Sequence, residues 1–471
     1  MQTNILNNDT ICAIATPQGM GAIATVRVSG AKAFPIVADL FQNHGNYLEI
    51  SEIISHKAYH GHLINKGELL DEVLVAFFKA PHSFTGEDSV EISVHGSVFV
   101  QQKLLQILIA HGCRMAEAGE FTRRAFVNGK FDLAQAEAIA DLISSENEAA
   151  HRVAINQLKG GFSKELQVLR SKLLEMTSLM ELELDFSEED VEFADRSQLK
   201  ALLQDILSKV NTLRDSFRFG NAIKNGIPVA IVGQTNTGKS TLLNALLGED
   251  RAIVSDIAGT TRDTIEETLN INGILFRFID TAGLRETEET IERIGIERSY
   301  RKIAEATVVI GMLDATKDTE NLLLAAHEIL ERIDLEHQQL ILCINKVDTL
   351  DDQGEALLGQ LRADLDNDEI MVICLSAKHK FGLNDLYNTL KHSQPLSYPD
   401  ATLVTNVRHY EALLHASDSL VQVQQGLEMN IPTDLISQDL RQALHYLGSI
   451  TGEITTDEVL GSIFSRFCIG K

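Results

Sequence analysis

The chain has 471 residues, of which 44% are hydrophobic and 23% are charged, and only seven are proline. At roughly 150 residues per domain this length implies about three domains, and the composition excludes a disordered or fibrous chain. The 41 basic and 67 acidic side chains give a formal net charge of −26, which repels a phosphate backbone at long range, so contact with nucleic acid requires a local basic patch or a partner.

Cysteine use and hydropathy indicate a cytoplasmic protein. The five cysteines lie far apart without a CxxC pair, and the N-terminus has no basic region followed by an apolar signal core. No apolar run approaches the ~20 residues that a membrane span needs. We therefore predict a reduced chain in the cytoplasm with no membrane association.

The first 120 residues predict an α+β domain. Apolar residues alternate in GAIATVRVSG, DEVLVAFF and DSVEISVHG, which is typical of strands, and VQQKLLQILIAHG has helical spacing. Residues 121–220 predict long amphipathic helices, since apolar side chains recur at steps of three and four from Leu166 to Met180. The same spacing returns in residues 386–471.

Residues 221–385 predict an α/β domain of the P-loop type. The short apolar runs IPVAIVG, ILFRFID, TVVIGMLD, LILCINKVD and IMVICLSAK alternate with helical stretches, which favours a mostly parallel sheet with helices on both faces. The economical interpretation is an α/β unit inserted into a helical domain whose halves are 121–220 and 386–471. Periodicity alone leaves the pairing of those halves open.

The stretch GQTNTGKS, residues 233–240, fits GxxxxGK[ST] between a strand and a helix. Backbone N–H groups and the helix N-terminus there would surround phosphates, Lys239 would reach the β and γ phosphates, and the Ser240 hydroxyl would bind Mg²⁺. Glycine-rich turns between a strand and a helix also occur for packing reasons, so the pattern needs support from other motifs.

Three later motifs give that support. DTAG, residues 280–283, ends a strand and would place a carboxylate behind the Mg²⁺ and an N–H on the γ phosphate. NKVD, residues 345–348, offers the Asp348 carboxylate to the N1–H and exocyclic amine of guanine, an edge that adenine lacks. SAK, residues 376–378, closes the base pocket. Four motifs in this order predict guanine-nucleotide binding.

Leu284 follows DTAG, where signalling GTPases carry the glutamine that orients the attacking water. Leucine has no group for that task, so another residue must position the water and supply charge. Arg285 and Glu292 are the nearby candidates. Charge counting in RETEETIERIGIER favours a solvated helix position for Glu292 instead.

The G motifs, with AIVSDIAGTTRDTIEE at residues 252–267, resemble the GTPase group of the TrmE, Era and EngA types. By themselves they leave a ribosome-assembly GTPase that acts as a binding switch as an alternative. The flanks ATPQGMGAIATVRVSG, PHSFTGEDSVEISVHG, EAGEFTRRAFVNGKFDLAQAEAIADLI and FCIGK resemble the MnmE (TrmE) family of tRNA modification GTPases over essentially the whole chain.

This resemblance implies an N-terminal domain that binds 5,10-methylene- or 5-formyl-tetrahydrofolate and forms a homodimer. It also implies a complex with the flavoprotein MnmG, which carries FAD, and a tRNA substrate whose wobble uridine receives an aminomethyl or carboxymethylaminomethyl group at C5. In the family, GTP hydrolysis depends on K⁺ where two G domains meet, which would answer the question that Leu284 raises.

The resemblance also implies roles for individual residues. Glu292 would position water, against the charge-counting interpretation, and Cys468 would lie near the one-carbon chemistry. Ser240 and Thr261 would hold Mg²⁺. The predicted K⁺ ligands are Asn236, Ser255, Ile257 and Thr260, and the predicted folate contacts are Arg27, Glu91, Lys130 and Lys471. The predicted GTP-binding residues are Asn236, Thr237, Gly238, Lys239, Ser240, Thr241, Ser255, Asp256, Ile257, Ala258, Gly259, Thr260, Thr261, Asp280, Thr281, Ala282, Gly283, Asn345, Lys346, Asp348, Ser376, Ala377 and Lys378.

The folate contacts and the role of Cys468 have ordinary alternatives. Arg27 and Glu91 sit in alternating strands, where an outward charge is usually just solvated, and Lys130 follows a turn. The ending SIFSRFCIGK does not fit a prenylation signal, because Gly470 is not aliphatic and Lys471 closes the chain. Its aromatic residues predict a tail that docks on the protein, with Cys468 as a nucleophile, a redox group or a small buried residue.

Overall fold

The computed structural model describes residues 9–185, 196–249, 267–271, 274–279, 306–335, 338–350, 359, 363, 365, 370–392, 402–429, 431–465, 467 and 470. The chain forms two compact units, each continuous in space but not in sequence. The first comprises Met1–Ile143, Ile155–Val210 and Ala412–Lys471, and the second comprises Ser144–Ala154 and Asn211–Glu411.

An eight-stranded sheet forms the N-terminal part of the first unit. Its strand order is β4-β3-β5-β6-β7-β2-β1-β8, and every pair is antiparallel except β1 with β8. Alternation in β2 buries Ala24, Val26 and Val28 on one face and leaves Arg27 on the other. The strands are β1 Thr10–Ile14, β2 Ile23–Ser29, β3 Phe41–Asn43, β4 Asn46–Tyr47, β5 Lys57–Asn65, β6 Glu68–Phe78, β7 Ser89–His95 and β8 Cys113–Met115.

Helices Ala33–Ala38 and Val98–Ala110 cover the apolar face of this sheet, where Leu104 and Leu108 join a core with Val75 and Ile92. We call the opposite face, on which Ile23 and Leu74 are exposed, the open face. This arrangement is the predicted α+β domain.

Amphipathic helices make up much of the rest, as the spacing predicts. Leu166, Leu173 and Met176 are buried completely, and helix Gly161–Asp185 packs along helix Thr433–Thr451 within the first unit. The pairing of the early and late helical segments, which periodicity left open, is thereby observed. The helices are Glu120–Val127, Leu133–Ser144, Glu148–Leu158, Gly161–Asp185, Arg196–Asp215, Phe217–Asn225, Val407–Glu428, Thr433–Thr451 and Asp457–Phe464.

The second unit contains a six-stranded sheet with order β10-β11-β9-β12-β13-β14, parallel except for β10 with β11. Helices Lys239–Glu249 and Leu383–His392 contribute to the core on one face, and helix Thr319–Leu330 contributes to the core on the other. The α/β prediction is confirmed. The strands are β9 Ile227–Gly233, β10 Glu267–Ile271, β11 Ile274–Phe278, β12 Val308–Asp314, β13 Gln339–Asn345 and β14 Met371–Cys374.

Within the portion of the chain that the structure describes, no helix is long and apolar enough to cross a membrane. The boundaries predicted at residues 120, 220 and 385 stay a prediction.

Candidate functional site

The phosphate loop, residues 233–240, turns sharply between β9 and helix Lys239–Glu249. Gly233, Asn236 and Gly238 have φ values of 144°, 62° and 97°, so half of the first six residues leave the usual backbone region. A Cβ on Gly238 would lie 2.2 Å from Nδ2 of Asn345. Glycine is therefore required for the loop to close against its neighbours.

The Lys239 ammonium is held over this loop by the loop's own backbone. Its Nζ donates to the carbonyls of Gly233 and Gln234, both at 2.8 Å. An ammonium has three N–H donors, so this arrangement leaves one for a phosphate oxygen. Burial lowers the pKa of Lys239, because desolvation disfavours the charged form, and an incoming phosphate would oppose that effect.

The Asn345 side chain joins the phosphate loop to the base loop, which we define as residues 376–381. Its Nδ2 donates to the Thr237 carbonyl at 2.7 Å, and its Oδ1 accepts from the Ala377 N–H at 2.9 Å. Asn345 is buried. The structure thus brings together the GKS, NKVD and SAK motifs, which lie up to 140 residues apart in the sequence numbering.

Lys346 has a partner that the sequence did not reveal. Its Nζ lies 2.7 Å from Oδ2 of Asp314, the last residue of β12, and Asp314 also accepts from Thr316. The Lys346 backbone is left-handed, with φ of 67°. Asp314 and Asn345 are in register at the carboxyl ends of the neighbouring strands β12 and β13. The position of Asp314 at the end of TVVIGMLD could therefore have indicated that it lies in the nucleotide site.

The predicted base-recognising carboxylate lies beside the base loop. A hydrogen bond from Ser376 lowers the pKa of Asp348, and Oδ2 of Asp348 lies 3.5 Å from Nε2 of His379. The base loop is closed by paired backbone hydrogen bonds between Ser376 and Phe381, at 3.0 and 3.1 Å. Asp348 is thus held in its acceptor form, which suits the two donors on the guanine edge.

Other predicted nucleotide and metal residues lie outside the described residues. They are Ser255, Asp256, Ile257, Ala258, Gly259, Thr260, Thr261, Asp280, Thr281, Ala282, Gly283 and Glu292. Asn236, Ser240 and Thr241 are described and exposed on the phosphate loop and the helix that follows it.

A second constellation lies on the open face of the eight-stranded sheet. Arg27 of β2 and Glu91 of β7 are in register, and Nε and Nη2 of Arg27 both donate to Oε1 of Glu91, at 3.0 and 2.8 Å. The guanidinium lies over the rings of Phe84 and Phe121, at 4.9 and 5.6 Å. Both hydrogen bonds are accepted by Oε1, so Oε2 of Glu91 and Nη1 of Arg27 take no part in the bonds between these two residues. Neither aromatic residue was predictable as part of this site, because both come from segments remote from Arg27 in the sequence.

Lys130 belongs to the same constellation through the segment 81–85. Its Nζ donates to the Pro81 carbonyl at 3.0 Å, and Asn128 Nδ2 donates to the Thr85 carbonyl at 2.7 Å. The next residue, Phe131, has its ring centroid 5.9 Å from that of Phe84, which lies under Arg27. The structure therefore brings Arg27, Glu91 and Lys130 around one segment.

The C-terminal tail reaches β1, the strand that pairs with β2 on the side away from β7. Gly470 is buried with φ of 98°, and a Cβ added there would lie 2.2 Å from the Ile14 carbonyl oxygen. Ile14 pairs with Val26, and its neighbour Ala13 pairs with Arg27. The predicted docking of the tail is thus observed at Gly470, whereas Cys468 and Lys471 lie outside the described residues.

Two protein-family profiles match this chain, one in its N-terminal region and one over most of the remainder. The family profile described as MnmE helical domain matches residues 133–468, and the profile described as GTP-binding protein TrmE N-terminus matches residues 10–130. The tRNA modification GTPase MnmE of Bacteroides fragilis is 52% identical over 468 residues, which are 99% of this chain and 100% of that protein. The MnmE of Flavobacterium johnsoniae is 51% identical over 477 residues, with the same two shares.

Among solved structures, the G-domain of FeoB from Methanococcus jannaschii is 26% identical, with a TM-score of 0.25, over 36% of this chain and 96% of that chain. Era in complex with MgGDPNP and nucleotides 1506-1542 of 16S ribosomal RNA is 29% identical, with a TM-score of 0.28, over 41% of this chain and 66% of that chain.

Proposed function

Since the chain belongs to the MnmE family of tRNA modification GTPases, we propose that it hydrolyses GTP to drive modification of the wobble uridine of tRNA at C5. The product is an aminomethyl or carboxymethylaminomethyl group, made together with the FAD-carrying flavoprotein MnmG in the cytoplasm. The observation that carries the proposal is the guanine-nucleotide site, in which Asn345 joins the phosphate loop to the base loop beside Asp348.

Each subsite has a distinct task in nucleotide binding. The phosphate loop offers backbone N–H groups and the Lys239 ammonium to the phosphates, and Asp348 selects guanine. Mg²⁺ would be held by Ser240 and Thr261, and it supplies positive charge to the β and γ phosphate oxygens. Ser240 fits this role, since it is exposed in the first turn of helix Lys239–Glu249 beside Lys239.

We assign potassium to the tip of the phosphate loop. Asn236 fits as a ligand, because it is exposed and its left-handed backbone sets it at the turn, with Ser255, Ile257 and Thr260 as the other proposed ligands. The cation would supply the charge that an arginine finger brings elsewhere. Glu292 would hold the attacking water, which Leu284 cannot do.

Two measurements test this assignment. GTP turnover should be much faster in K⁺ than in Na⁺ at equal ionic strength, and equal rates would remove the potassium role from Asn236. The Glu292→Ala variant should bind GTP normally but hydrolyse it slowly. Unchanged hydrolysis would exclude Glu292 as the water-positioning residue.

The Arg27 constellation would hold the tetrahydrofolate that supplies the one-carbon unit. A pterin is planar with adjacent N–H donors, which would suit Oε2 of Glu91 as an acceptor and the Phe84 ring, against which Arg27 lies, as an aromatic neighbour. Lys130 and Lys471 would offer cations to the ligand's carboxylates. The tail seated at Ile14 would bring Cys468 close to that unit. Loss of 5-formyl-tetrahydrofolate binding on Arg27→Ala substitution, with GTP turnover retained, would support this role.

We also propose that a second copy of the chain covers the open sheet face. That face exposes Ile23 and Leu74, which are 68% and 47% exposed, and the 19–21 turn beside it exposes Met20, which is 90% exposed. Contiguous exposed apolar groups of this kind mark interfaces. Light scattering should report a dimer for the wild type and a monomer for the Ile23→Asp, Leu74→Asp variant. A variant that stays dimeric would place the interface elsewhere.

Mass spectrometry of tRNA nucleosides decides the function as a whole. A strain that lacks this gene should lose the wobble-uridine modification and regain it with the wild-type gene. Retained modification, together with co-sedimentation of the protein with ribosomal subunits, would instead support a ribosome-assembly switch.

A further inference from the structure

Three lysines and two histidines lie on or beside three adjacent loops of the first unit. They are Lys57, Lys79, Lys130, His56 and His82, all exposed, and we call them the cationic rim after its lysines. Lys130 is also a residue of the proposed folate constellation. The rim therefore begins at the edge of the proposed one-carbon site and extends away from it over the surface.

Hydrogen bonds fix the three loops against each other. The Lys79 N–H donates to Ser55 Oγ at 2.9 Å, which joins the 79–82 turn to the 55–57 turn. The His82 N–H donates to the Lys79 carbonyl at 2.9 Å, and Lys130 Nζ donates to the Pro81 carbonyl at 3.0 Å. These bonds hold together the backbone segments that carry the rim residues, and the last of them also fixes the Lys130 ammonium.

The rim lysines carry the sign of charge opposite to that of the chain as a whole. Asp88, the carboxylate that touches the 79–82 turn, already accepts the Ala80 N–H at 2.9 Å and so serves the turn itself. The chain as a whole carries −26 and repels polyanions. An RNA substrate must approach where the local sign is reversed, since phosphate contacts supply most of the non-specific affinity for nucleic acid.

We propose that the cationic rim binds the phosphate backbone of the tRNA substrate and so sets the tRNA beside the one-carbon donor. This inference rests on the proposed function. The exposed His56 ring packs edge-on against Phe78 at 5.4 Å, which adds a flat group of the kind on which unpaired RNA bases stack. Because the three lysines are exposed and come from three separate segments, they suit an extended polyanion better than a small enclosed anion.

The test is tRNA binding by a charge-removing variant of the full-length protein. Lys57→Gln with Lys79→Gln removes two rim cations and leaves Lys130 in place. The matched control is Lys66→Gln with Lys103→Gln, which changes the net charge equally. Lys66 lies in the turn at the far end of the β5–β6 hairpin, about 30 Å along the chain from Lys57 at the rise of an extended strand. Lys103 lies on helix Val98–Ala110, which covers the apolar face of the sheet.

The probe is an unmodified transcript of a tRNA with a wobble uridine, and binding is followed by fluorescence anisotropy over a series of KCl concentrations. The rim variant should bind about tenfold more weakly, and its log–log salt slope should be smaller by about two, because two phosphate contacts are lost. The control should bind as the wild type does. A Lys57→Arg, Lys79→Arg variant should restore binding, since it keeps the charge.

Equal tRNA binding by the rim variant and its control would overturn the proposal. So would a rim variant that loses affinity only for a polyglutamylated folate, because the cations would then serve the tail of that ligand. GTP turnover should be the same in all variants, which shows that each is folded. Failure of the proposed function is seen separately, as wild-type protein that does not restore wobble-uridine modification to the deletion strain.

Discussion

The side chain of Asn345 bridges to Thr237 across the candidate nucleotide site, with Nδ2 at 2.7 Å from the Thr237 carbonyl oxygen. The amide oxygen of the same side chain, Oδ1, accepts a hydrogen bond from the Ala377 N–H in the base loop. The phosphate and base subsites are therefore linked through one buried amide. Occupation of one subsite by a nucleotide should order the other.

Asn345→Ala should weaken GDP and GTP binding by about tenfold or more. The substitution leaves the buried Thr237 carbonyl and Ala377 N–H without their partner, at a cost of about 1–3 kcal/mol for each group. Fluorescence titration with a labelled guanine nucleotide measures the loss. Asn321→Ala is the control, since Asn321 is exposed at a helix start and, among the residues that the structure describes, its side chain bonds to Asp318. Equal affinities in the two variants would show that the bridge does not support binding.

Asp348→Asn should change the base preference from guanine to xanthine. The Asp348 carboxylate is kept ionised by a hydrogen bond from Ser376, which lowers its pKa, and it accepts from two donors of guanine. An amide in its place offers a donor to the carbonyl that xanthine has in place of the guanine amine. Turnover of GTP should fall by orders of magnitude while turnover of XTP appears. A variant that still prefers GTP would place base recognition elsewhere.

Glu120 should make the first unit sensitive to acid. Burial opposes its ionisation, but hydrogen bonds from Arg114 and Arg124, at 2.7 and 3.0 Å, and from the Glu117 N–H outweigh that effect and lower its pKa below the usual 4.5. A depressed carboxylate pKa stabilises the fold above the unfolded value and loses that contribution as the pH falls through the folded value.

Glu120→Gln should therefore lower the free energy of unfolding at neutral pH by about 1–3 kcal/mol, and the difference from the wild type should shrink below about pH 4. Urea unfolding followed by circular dichroism at several pH values measures both effects. Glu117→Gln is the control, because Glu117 is 68% exposed. A constant difference across the pH range would show that ionisation of Glu120 is not involved.

Glu91→Gln should weaken binding of 5-formyl-tetrahydrofolate by at least about tenfold and leave GTP turnover unchanged. The charge that holds Arg27 by two hydrogen bonds is lost, and so is the acceptor available to the ligand. Isothermal calorimetry gives the affinity. Glu72→Gln serves as the control on the same sheet, since Glu72 pairs with His60 at 56% exposure. Folate binding that survives in Glu91→Gln would return the Arg27 pair to a purely structural role.

The elements were predictable where the local pattern decides them. Alternating and helical spacing predicted the strands and helices, and GQTNTGKS predicted the loop, because the tight turn needs its glycines locally. The interactions between distant segments were not predictable. Arg27 meets Glu91, 64 residues away, only through the register of β2 with β7, and Asp314 meets Lys346 only because β12 and β13 align.

Buried charge shows the same limit. In EFTRRAFV the charged residues predict an exposed helix face, yet Glu120 and Arg124 are each only 2% exposed. Their burial depends on Asp9 and Glu87, which come from the chain before β1 and from a loop, and which complete the ion pairs at 3.0 and 3.1 Å. Periodicity carries no information about such partners, since they come from remote parts of the sequence.

Gly470→Ala should reduce wobble-uridine modification strongly while GTP turnover stays normal. The added methyl would lie 2.2 Å from the Ile14 carbonyl oxygen at a φ of 98°, so the tail must leave its seat beside the β1–β2 pair. Lys471 and Cys468 would then move away from the proposed folate constellation. Nucleoside mass spectrometry of the complemented deletion strain measures the loss.

Gly461→Ala is the matched control, because among the described residues nothing outside its own helix backbone and chain neighbours lies within 4 Å of its added Cβ. It also sits inside helix Asp457–Phe464, where alanine is favoured by about 1 kcal/mol. This control should modify tRNA as the wild type does. If Gly470→Ala also retained full modification, the docked tail would serve packing alone, and Cys468 and Lys471 would have no part in the one-carbon transfer. Of the two added methyl groups, the one at Gly470 lies against the Ile14 carbonyl and the one at Gly461 does not. A deficit confined to Gly470→Ala would therefore locate the defect at the Ile14 contact.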